Sequence, residues 1–441
     1  MSLDLTRFAK VCNPSRTLVV GNVEDQPYYI DFASVRGGKI IEALERTIAR
    51  LSPNEPTCQL FTGHIGCGKS TELYRLKADL EQQNFYVVYF EADQDLEVDD
   101  VDVTDILLAI ARQVSQGLEK IGIRLKPSYF ERLFAEMGAI LKTPIELAAE
   151  AEFSIGIGKV IAKTKSSPQF RSQLRQYLET RTSSILESLN QELLDKAIAE
   201  LKRRQKQGLV VIVDNLDRVE NRLNGSGRLQ PEYLFIDRGM QLRELNCHVV
   251  YTVPLALMFS SEGEALKNRL GGGVAPKVLP MVPVLQEDGT VNLEGMALLR
   301  QMVLARAFPE THFSQRLDRL AELFDHPDLL DRLCQFSGGH MRNLLGLLFG
   351  CLQQQDPPFS ADCLEAVIRT YKDDLALTVK DDQWSLLNEV AQRKTIGNEP
   401  KYQHLLASLY VFEYRGQTGR WFDLNPALKE IEKTTFREYK E

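Results

Sequence analysis

The sequence predicts an α/β fold: a parallel sheet covered by helices on both faces, followed by a helical region and a small C-terminal module. Three observations carry this. Short β-branched and aromatic runs alternate with amphipathic segments of helix length: CQLF (Cys58–Phe61), FYVVYF (Phe85–Phe90), LVVIV (Leu209–Val213) and HVVYTV (His248–Val253). That alternation is the pattern of parallel strands joined by helical crossovers. A glycine-rich loop sits between the first strand and the next helix, and strand signals cease after about Asp288 until a hairpin pattern closes the chain.

Each element follows from its local pattern. Arg36–Leu51 places Ile40, Ile41, Leu44, Ile48 and Leu51 at helical spacing. Thr71–Gln83 reads as a helix after the glycine-rich loop, and Asp102–Leu118 as an amphipathic one. Lys126–Gln207 is mainly helical and too long for a simple connection, so it is expected to be an inserted helical subdomain. A helix is expected around Tyr233–Leu245, and KVLPMVPV from Lys277 reads as a short strand. Further helices are expected over Asn292–Arg306, Ser314–Phe336, His340–Gln355 and Ala361–Leu375. No repeat of fixed period occurs. The expected domains are 1–35, a linker packing near a ligand; 36–287, the sheet core with its insertion at 126–207; 288–378, a helical lid; and 379–441, the terminal module.

Composition narrows the class. The 441 residues suffice for two or three domains. With 44% hydrophobic and 26% charged residues, the chain reads as an ordinary soluble globular protein. A net charge of -8 argues against a protein coating nucleic acid over most of its surface. The seven cysteines are scattered without a CxxC pair, so a zinc site or disulfide framework is not expected and a reducing cytoplasm fits. MSLDLTRFAK has no apolar signal core, and no run reaches the roughly 18 apolar residues of a membrane span.

FTGHIGCGKST (Phe61–Thr71) matches the phosphate-loop pattern as Gly63-x4-Gly68-Lys69-Ser70. Glycines let the backbone wrap so that successive amides point at phosphates. The helix that follows presents its positive end to the same anion. His64, Ile65, Gly66 and Cys67 complete the loop and Thr71 begins the helix, so Gly63–Thr71 is the expected nucleotide cradle. Lys69 is suited to the β and γ phosphates and Ser70 to Mg²⁺. Cys67 reads most simply as a small filler, with a redox role as the alternative.

LVVIVDNLDR puts Asp214 at the carboxyl end of a fully apolar strand, where one carboxylate suits a magnesium ion. This resembles the Walker B motif of P-loop ATPases of the additional-strand type. Many of those place Glu directly after the Asp; here Asn215 stands there and can orient water but takes no proton. Asp217 is the nearest spare carboxylate, either water-activating or a helix cap. The strand HVVYTVP ends in Thr252, in the place of sensor 1 in AAA+ and STAND-like ATPases; the alternative is a plain β-branched strand residue. Arg269, ending a short helix before Lys277, resembles an arginine finger, with Arg218 and Arg238 as competitors.

SGGHMRNLLGLL (Ser337–Leu348) resembles the GGxxR sensor 2 motif of origin-initiator-type AAA+ and STAND proteins. The resemblance gives Arg342 the role of reaching from the lid to the nucleotide, a task that suits its planar fork. Met341 stands where the family often has Pro. YYIDFASVRGG (Tyr28–Gly38) resembles the linker that packs on adenine in these families, with Tyr29, Ile30 and Phe32 as an apolar wall. The plain reading of that stretch is a strand or loop packed on the domain.

KYQHLLASLYVFEYRGQTGRWFDLNPAL looks like a winged helix whose wing is Tyr410–Tyr414 and Arg420–Leu424, turning at Arg415–Gly419. Such modules bind DNA in initiator-type proteins and hold the closed ADP state in STAND proteins. Arg415 and Arg420 are the residues suited to phosphate, although acids match bases over the tail. Phe153–Leu178 carries Lys159, Lys163, Lys165, Arg171 and Arg175 and no acid, and reads either as a nucleic-acid or partner surface or as a helical face balanced by Glu146–Glu152.

The motif order of phosphate loop, acidic strand end, sensor 1, sensor 2 and winged helix resembles the AAA+/STAND group, nearest its initiator-type branch. It implies an ATP- and ADP-binding, Mg²⁺-dependent ATPase of slow turnover that acts as a molecular switch. Self-association or a partner effector protein is the implied output. The alternatives are a DNA-binding initiator or loader, contacting DNA through the winged helix or the Lys159–Arg175 stretch, and a nucleotide-binding scaffold without turnover.

Overall fold

The computed structural model describes residues 3–130, 132, 133, 136, 153–225, 227–416 and 419–431. Two compact units share the chain: one takes Ile41–Thr62 and Leu76–Lys277, the other Met1–Ile40, Gly63–Arg75 and Val278–Glu441.

The sheet is five-stranded: β1 (Cys58–Gly63), β2 (Tyr86–Glu91), β3 (Leu209–Asp214), β4 (His248–Thr252) and β5 (Lys277–Leu279) lie in the order β2-β3-β4-β1-β5. The pairs β2–β3, β3–β4 and β4–β1 run parallel, with Glu91 opposite Asp214 and Phe61 opposite Thr252. β4 lies between β1 and β3, the extra strand expected of the additional-strand type. The protein is an α/β P-loop NTPase fold. β3 is buried along its whole length, as a near-continuous Val/Ile run in a covered parallel sheet must be.

The helix Val103–Lys120 starts on a capping box made by Asp102 and Asp105 and buries nearly all of its first three turns. It packs on Phe153–Ser166, a helix of the insertion, and on β2. Pro168–Glu179, Thr182–Ser188 and Asp195–Arg203 complete the helical insertion among the described residues. Phe130, Ile157, Leu174, Leu189 and Leu193 join the sheet residues Val211, Val213 and Tyr251 in one core. The acidic stretch Glu146–Glu152 lies outside the described residues.

The other unit is mostly helical. Leu293–Ala307, Asp328–Ser337, Met341–Gln354 and Ala361–Ala376 pack through Leu299, Val303, Leu333, Leu344, Leu348 and Leu364, and the N-terminal helix Leu5–Cys12 adds Phe8 and Cys12 to the same core. Then come helices Asp381–Arg393 and Pro400–Ala407 and an antiparallel hairpin, β6 (Val411–Gly416) with β7 (Gly419–Leu424).

Several expected elements differ, each for a local reason. Ser314–Phe336 is not one helix: 3₁₀ turns occupy Phe313–Gln315 and Leu317–Glu322, and the helix begins only at Asp328, after Pro327, which disfavours a helical residue before it. The run from Lys277 stops at Leu279, because Pro280 and Pro283 lack the N–H a ladder needs. The segment expected near Tyr233–Leu245 starts at Gln230 and breaks at Arg238. Of the two plain readings of Tyr28–Gly38, strand or loop, the structure has the loop, with 3₁₀ turns at Gln26–Tyr28 and Ala33–Val35. The hairpin strands reach Gly416 and Gly419, so the turn is tighter than Arg415–Gly419; residues 417 and 418 lie outside the described residues.

Candidate functional site

The phosphate loop leaves β1 with Gly63 and turns through Gly66 and Gly68 at φ 85° and 104°, conformations that favour glycine. The helix Lys69–Gln82 begins directly after it. The Lys69 ammonium, nearly buried, donates to the Gly63 and His64 carbonyls at 2.9 Å each. Cys67 fills space: its side chain is buried, its Sγ lies 3.6 Å from the Leu279 carbonyl, and a Cβ on Gly63 would meet both Cys67 Sγ and that carbonyl. Ser70 and Thr71 stand on the first helical turn.

Three successive loop carbonyls are held from outside the loop. Ile65 accepts from His340 Nε2 at 2.7 Å, Gly66 from the Arg342 amide at 3.1 Å, and Cys67 from Arg36 Nη2 at 2.8 Å. On its other side the loop meets the hairpin: the Glu413 amide donates to His64 Nε2 at 2.9 Å. Phe412 stacks on His340 with ring centroids 5.7 Å apart and meets His64 edge-on at 5.8 Å.

Burial and neighbouring positive charge hold both imidazoles neutral. His64 is pushed down to about 3, first by desolvation and then by His340 and Lys69. His340 is pushed down to about 4, again chiefly by desolvation. Each ring's hydrogen bonds name its tautomer: His64 accepts at Nε2, and His340 accepts the Asn343 amide at Nδ1.

Arg36 was not singled out in the sequence, where it only opens the segment Arg36–Leu51 and falls within the Tyr28–Gly38 stretch. Its guanidinium is buried, packs 5.4 Å from the Phe32 ring centroid, and has its pKa lowered by desolvation. Cys67 and Glu72 oppose that lowering, and Glu72, buried on the loop helix, is itself raised by burial. Tyr29 belongs to this polar cluster rather than to an apolar wall: its hydroxyl donates to Glu72 at 3.2 Å and accepts from Arg75 at 3.3 Å. Phe32 and Tyr28 are buried in the helical unit's core. Arg342 is exposed, with its backbone against the loop.

In the sheet unit, Asp214 is fully buried at the end of β3. Its Oδ2 accepts from the Tyr89 hydroxyl at 2.8 Å and its Oδ1 from the Asn215 amide at 2.7 Å. Asn215 takes φ 63°, and its carboxamide donates to Asp93 at 3.1 Å, as does Arg218 at 2.9 Å. Thr252 is also fully buried; its hydroxyl donates to the Val213 carbonyl at 3.4 Å and accepts from the Leu216 amide at 3.0 Å. It therefore braces the turn that carries Asp214. Asp217 is buried in the 3₁₀ turn Leu216–Arg218. Arg269, half exposed, ion-pairs with Asp237 at 3.5 Å, and Arg238 sits over the Tyr233 ring.

The basic residues marked for nucleic acid are engaged internally. Arg415 and Arg420 reach Glu413 at 3.6 and 2.7 Å; this carboxylate is fully buried and raised by desolvation. In the insertion, Arg171 and Arg175 pair with Asp100, Arg175 also pairs with Asp105, and Lys165 donates to the Asp93 and Gln94 carbonyls. Among the described residues no helix is long and apolar enough to cross a membrane.

A family model described as the KAP family P-loop domain matches residues 38–224. That span includes the phosphate loop, the helical insertion and Asp214. Among solved structures, the Aeropyrum pernix ORC2 protein in its ADPNP-ADP complexes is 12% identical, with 89% of this chain and 91% of that chain covered and a TM-score of 0.38. The Drosophila ORC bound to DNA is 11% identical, with 98% and 92% covered and a TM-score of 0.40. The Walker-type ATPase of Pyrococcus abyssi is 12% identical, with 91% and 99% covered and a TM-score of 0.41. Comparison with the curated proteins returns no match. The segment that carries the phosphate loop is thus similar to the KAP family P-loop domain, on a P-loop NTPase fold.

Proposed function

We propose that this chain is an ATP-binding, slowly hydrolysing molecular switch in which a helical lid and a winged-helix-like hairpin respond to the nucleotide, in the manner of STAND proteins. The observation that carries the reading lies within the helical unit. The phosphate loop is gripped by the lid through His340 and Arg342, and by the hairpin through the Glu413–His64 bond. Both parts touch the loop itself, which supports a response of each to what the loop holds.

The residues present fit a magnesium nucleotide. The loop is a cradle of positive-φ glycines ahead of a helix N-terminus, and its buried ammonium already sits on two carbonyl oxygens. Ser70 and Asp214 are oxygen donors suited to a hard cation. ATP, when bound, supplies the phosphates and the hydrolysable γ bond. Lys69 would then hold the phosphate oxygens in place of the loop carbonyls, Arg342 would supply a second cation to the phosphates, and Asp214 would be the carboxylate for the metal ion. Asp217 is the base candidate, because a carboxamide takes no proton and the Asn215 NH2 is already given to Asp93. Thr252 keeps the Asp214 turn rigid. In the proposed self-assembled form Arg269 leaves Asp237 and acts in trans on a neighbour's nucleotide. The cytoplasm is the compartment that suits such a switch.

The DNA-loader reading is less favoured, because Arg415, Arg420, Arg171 and Arg175 answer acids of their own chain. The deciding experiment measures ATP turnover alone and with duplex DNA, with oligomeric state recorded in ATP and in ADP. Low steady turnover, lost in Lys69→Ala and Asp214→Ala, is expected. Tight ATP binding without turnover under every condition would leave only the scaffold reading.

A further inference from the structure

Gly66 is a glycine that the phosphate-loop pattern does not ask for. The pattern specifies Gly63 and Gly68 and leaves the residues between them open. A Cβ built on Gly66 would stand 2.8 Å from His340 Cε1 and 2.9 Å from Arg342 Cβ. The lid therefore presses on the loop at this residue, and a side chain there would push it away.

Two neighbouring peptides are held at this contact. The Gly66 carbonyl accepts the Arg342 amide at 3.1 Å. That donor is the second residue of the helix Met341–Gln354, among the amides a helix leaves unsatisfied. The Ile65 carbonyl accepts His340 Nε2–H at 2.7 Å.

His340 serves the helix and the loop at once. Its Nδ1 accepts the Asn343 amide at 3.0 Å, which caps the lid helix and leaves the proton on Nε2 for Ile65. Burial keeps the ring neutral, as both bonds together require. A trans peptide is planar, so its carbonyl and amide point in opposite directions. Fixing the Ile65 carbonyl against the lid turns the Gly66 amide to the opposite side, where a phosphate loop gathers its donors.

We propose that His340 is a positioning residue for the phosphate loop: its Nε2–H···O=C bond to Ile65 presets the Gly66 amide for a nucleotide phosphate, and its Nδ1 cap ties that peptide to the lid helix. The inference rests on the nucleotide-binding reading above. Nucleotide affinity is then coupled to lid docking through one imidazole, apart from any contact made by the Arg342 side chain.

The two bonds of the ring separate by substitution. His340→Ser keeps a good cap but cannot reach Ile65; His340→Gln places an amide donor near the Nε2 position but loses the cap. MgATP and MgADP affinities of the full chain are measured by titration calorimetry, and stability without nucleotide by urea unfolding. The expected result is a loss of about tenfold in both affinities for His340→Ser, the scale of one hydrogen bond, together with a lower unfolding midpoint from the loss of the buried ring stacked on Phe412. His340→Gln should bind within about threefold of wild type and unfold at lower urea. Wild-type affinity in His340→Ser, or equal affinity losses in the two variants, would overturn the inference while leaving nucleotide binding intact. A wild-type protein that binds neither nucleotide would overturn the underlying reading and this inference with it.

Discussion

The Glu413 amide donates to His64 Nε2 at 2.9 Å, tying the strand of a C-terminal hairpin to the second residue of the phosphate loop. Phe412 lies beside this bond, fully buried between the His64 and His340 rings. Removing the Phe412 ring should leave a cavity where loop, lid and hairpin meet. Phe412→Ala is expected to cost about 3–5 kcal/mol by urea unfolding. A cost below about 1 kcal/mol would mean that the three parts do not depend on this packing.

Both histidines should make stability depend on pH. Their folded pKa values, about 3 for His64 and about 4 for His340, lie below the ordinary 6.5. The unfolded chain therefore binds more protons in that window, so stability is complete above 6.5 and lost as pH falls from 6.5 toward 4 and 3. The slope is at most about 1.4 kcal/mol per pH unit for each ring. Unfolding midpoints at pH 7.5, 6 and 5 (chosen to be about one unit apart) should fall in that order, and more shallowly in His64→Gln. Glu413, raised by burial, has the opposite sign: its contribution is lost as pH rises above the ordinary carboxylate range. A midpoint constant across the series would contradict the neutral, buried assignment.

Arg36 should matter out of proportion to its single loop bond. Arg36→Met removes the donor to Cys67 and one of the two cations, with Arg75, that offset the burial of Glu72. Leaving the buried Cys67 carbonyl without its donor costs roughly 1–3 kcal/mol. Arg36→Lys should recover part of this, because an ammonium can make one bond to Cys67 but cannot stack on Phe32 as a guanidinium does. Equal stability of all three proteins in urea would remove Arg36 from the loop's support.

Asp214→Asn preserves side-chain shape and can keep its one oxygen for the Asn215 amide, with its NH2 turned to the Tyr89 hydroxyl, which then accepts. The variant should stay folded with nucleotide bound, while Mg²⁺-dependent turnover falls about 100-fold or more. Phosphate release at saturating MgATP is the measurement. Wild-type turnover would reassign the metal ligand.

Arg420→Ala strips Glu413 of its closer ion pair at 2.7 Å. The expected effect is a loss of about 2–4 kcal/mol in stability, with no change in the binding of labelled duplex DNA at low salt. A selective fall in DNA affinity at unchanged stability would favour the initiator-like alternative instead.

Local pattern made much of the fold legible. The apolar run of β3, the strand–glycine–helix sequence at Gly63–Ser70 and the GGxxR stretch before the lid helix each encode a backbone shape in a few adjacent residues. The failures were also local: prolines at 280, 283 and 327 cut short elements that periodicity alone extends. Arg36 gave no signal, because its partner, the Cys67 carbonyl, is 31 residues away and shares no motif with it.

What the sequence determined by itself is the sheet, the phosphate loop and the acidic strand end, since hydrophobic period, glycine freedom and a helix start act over neighbouring residues. Only the tertiary structure decided what holds the loop. His64 and Glu413 are 349 residues apart, and His340 and Ile65 are 275 apart. Such partners share no period or spacing; they meet because buried donors must find acceptors once the helical core has closed.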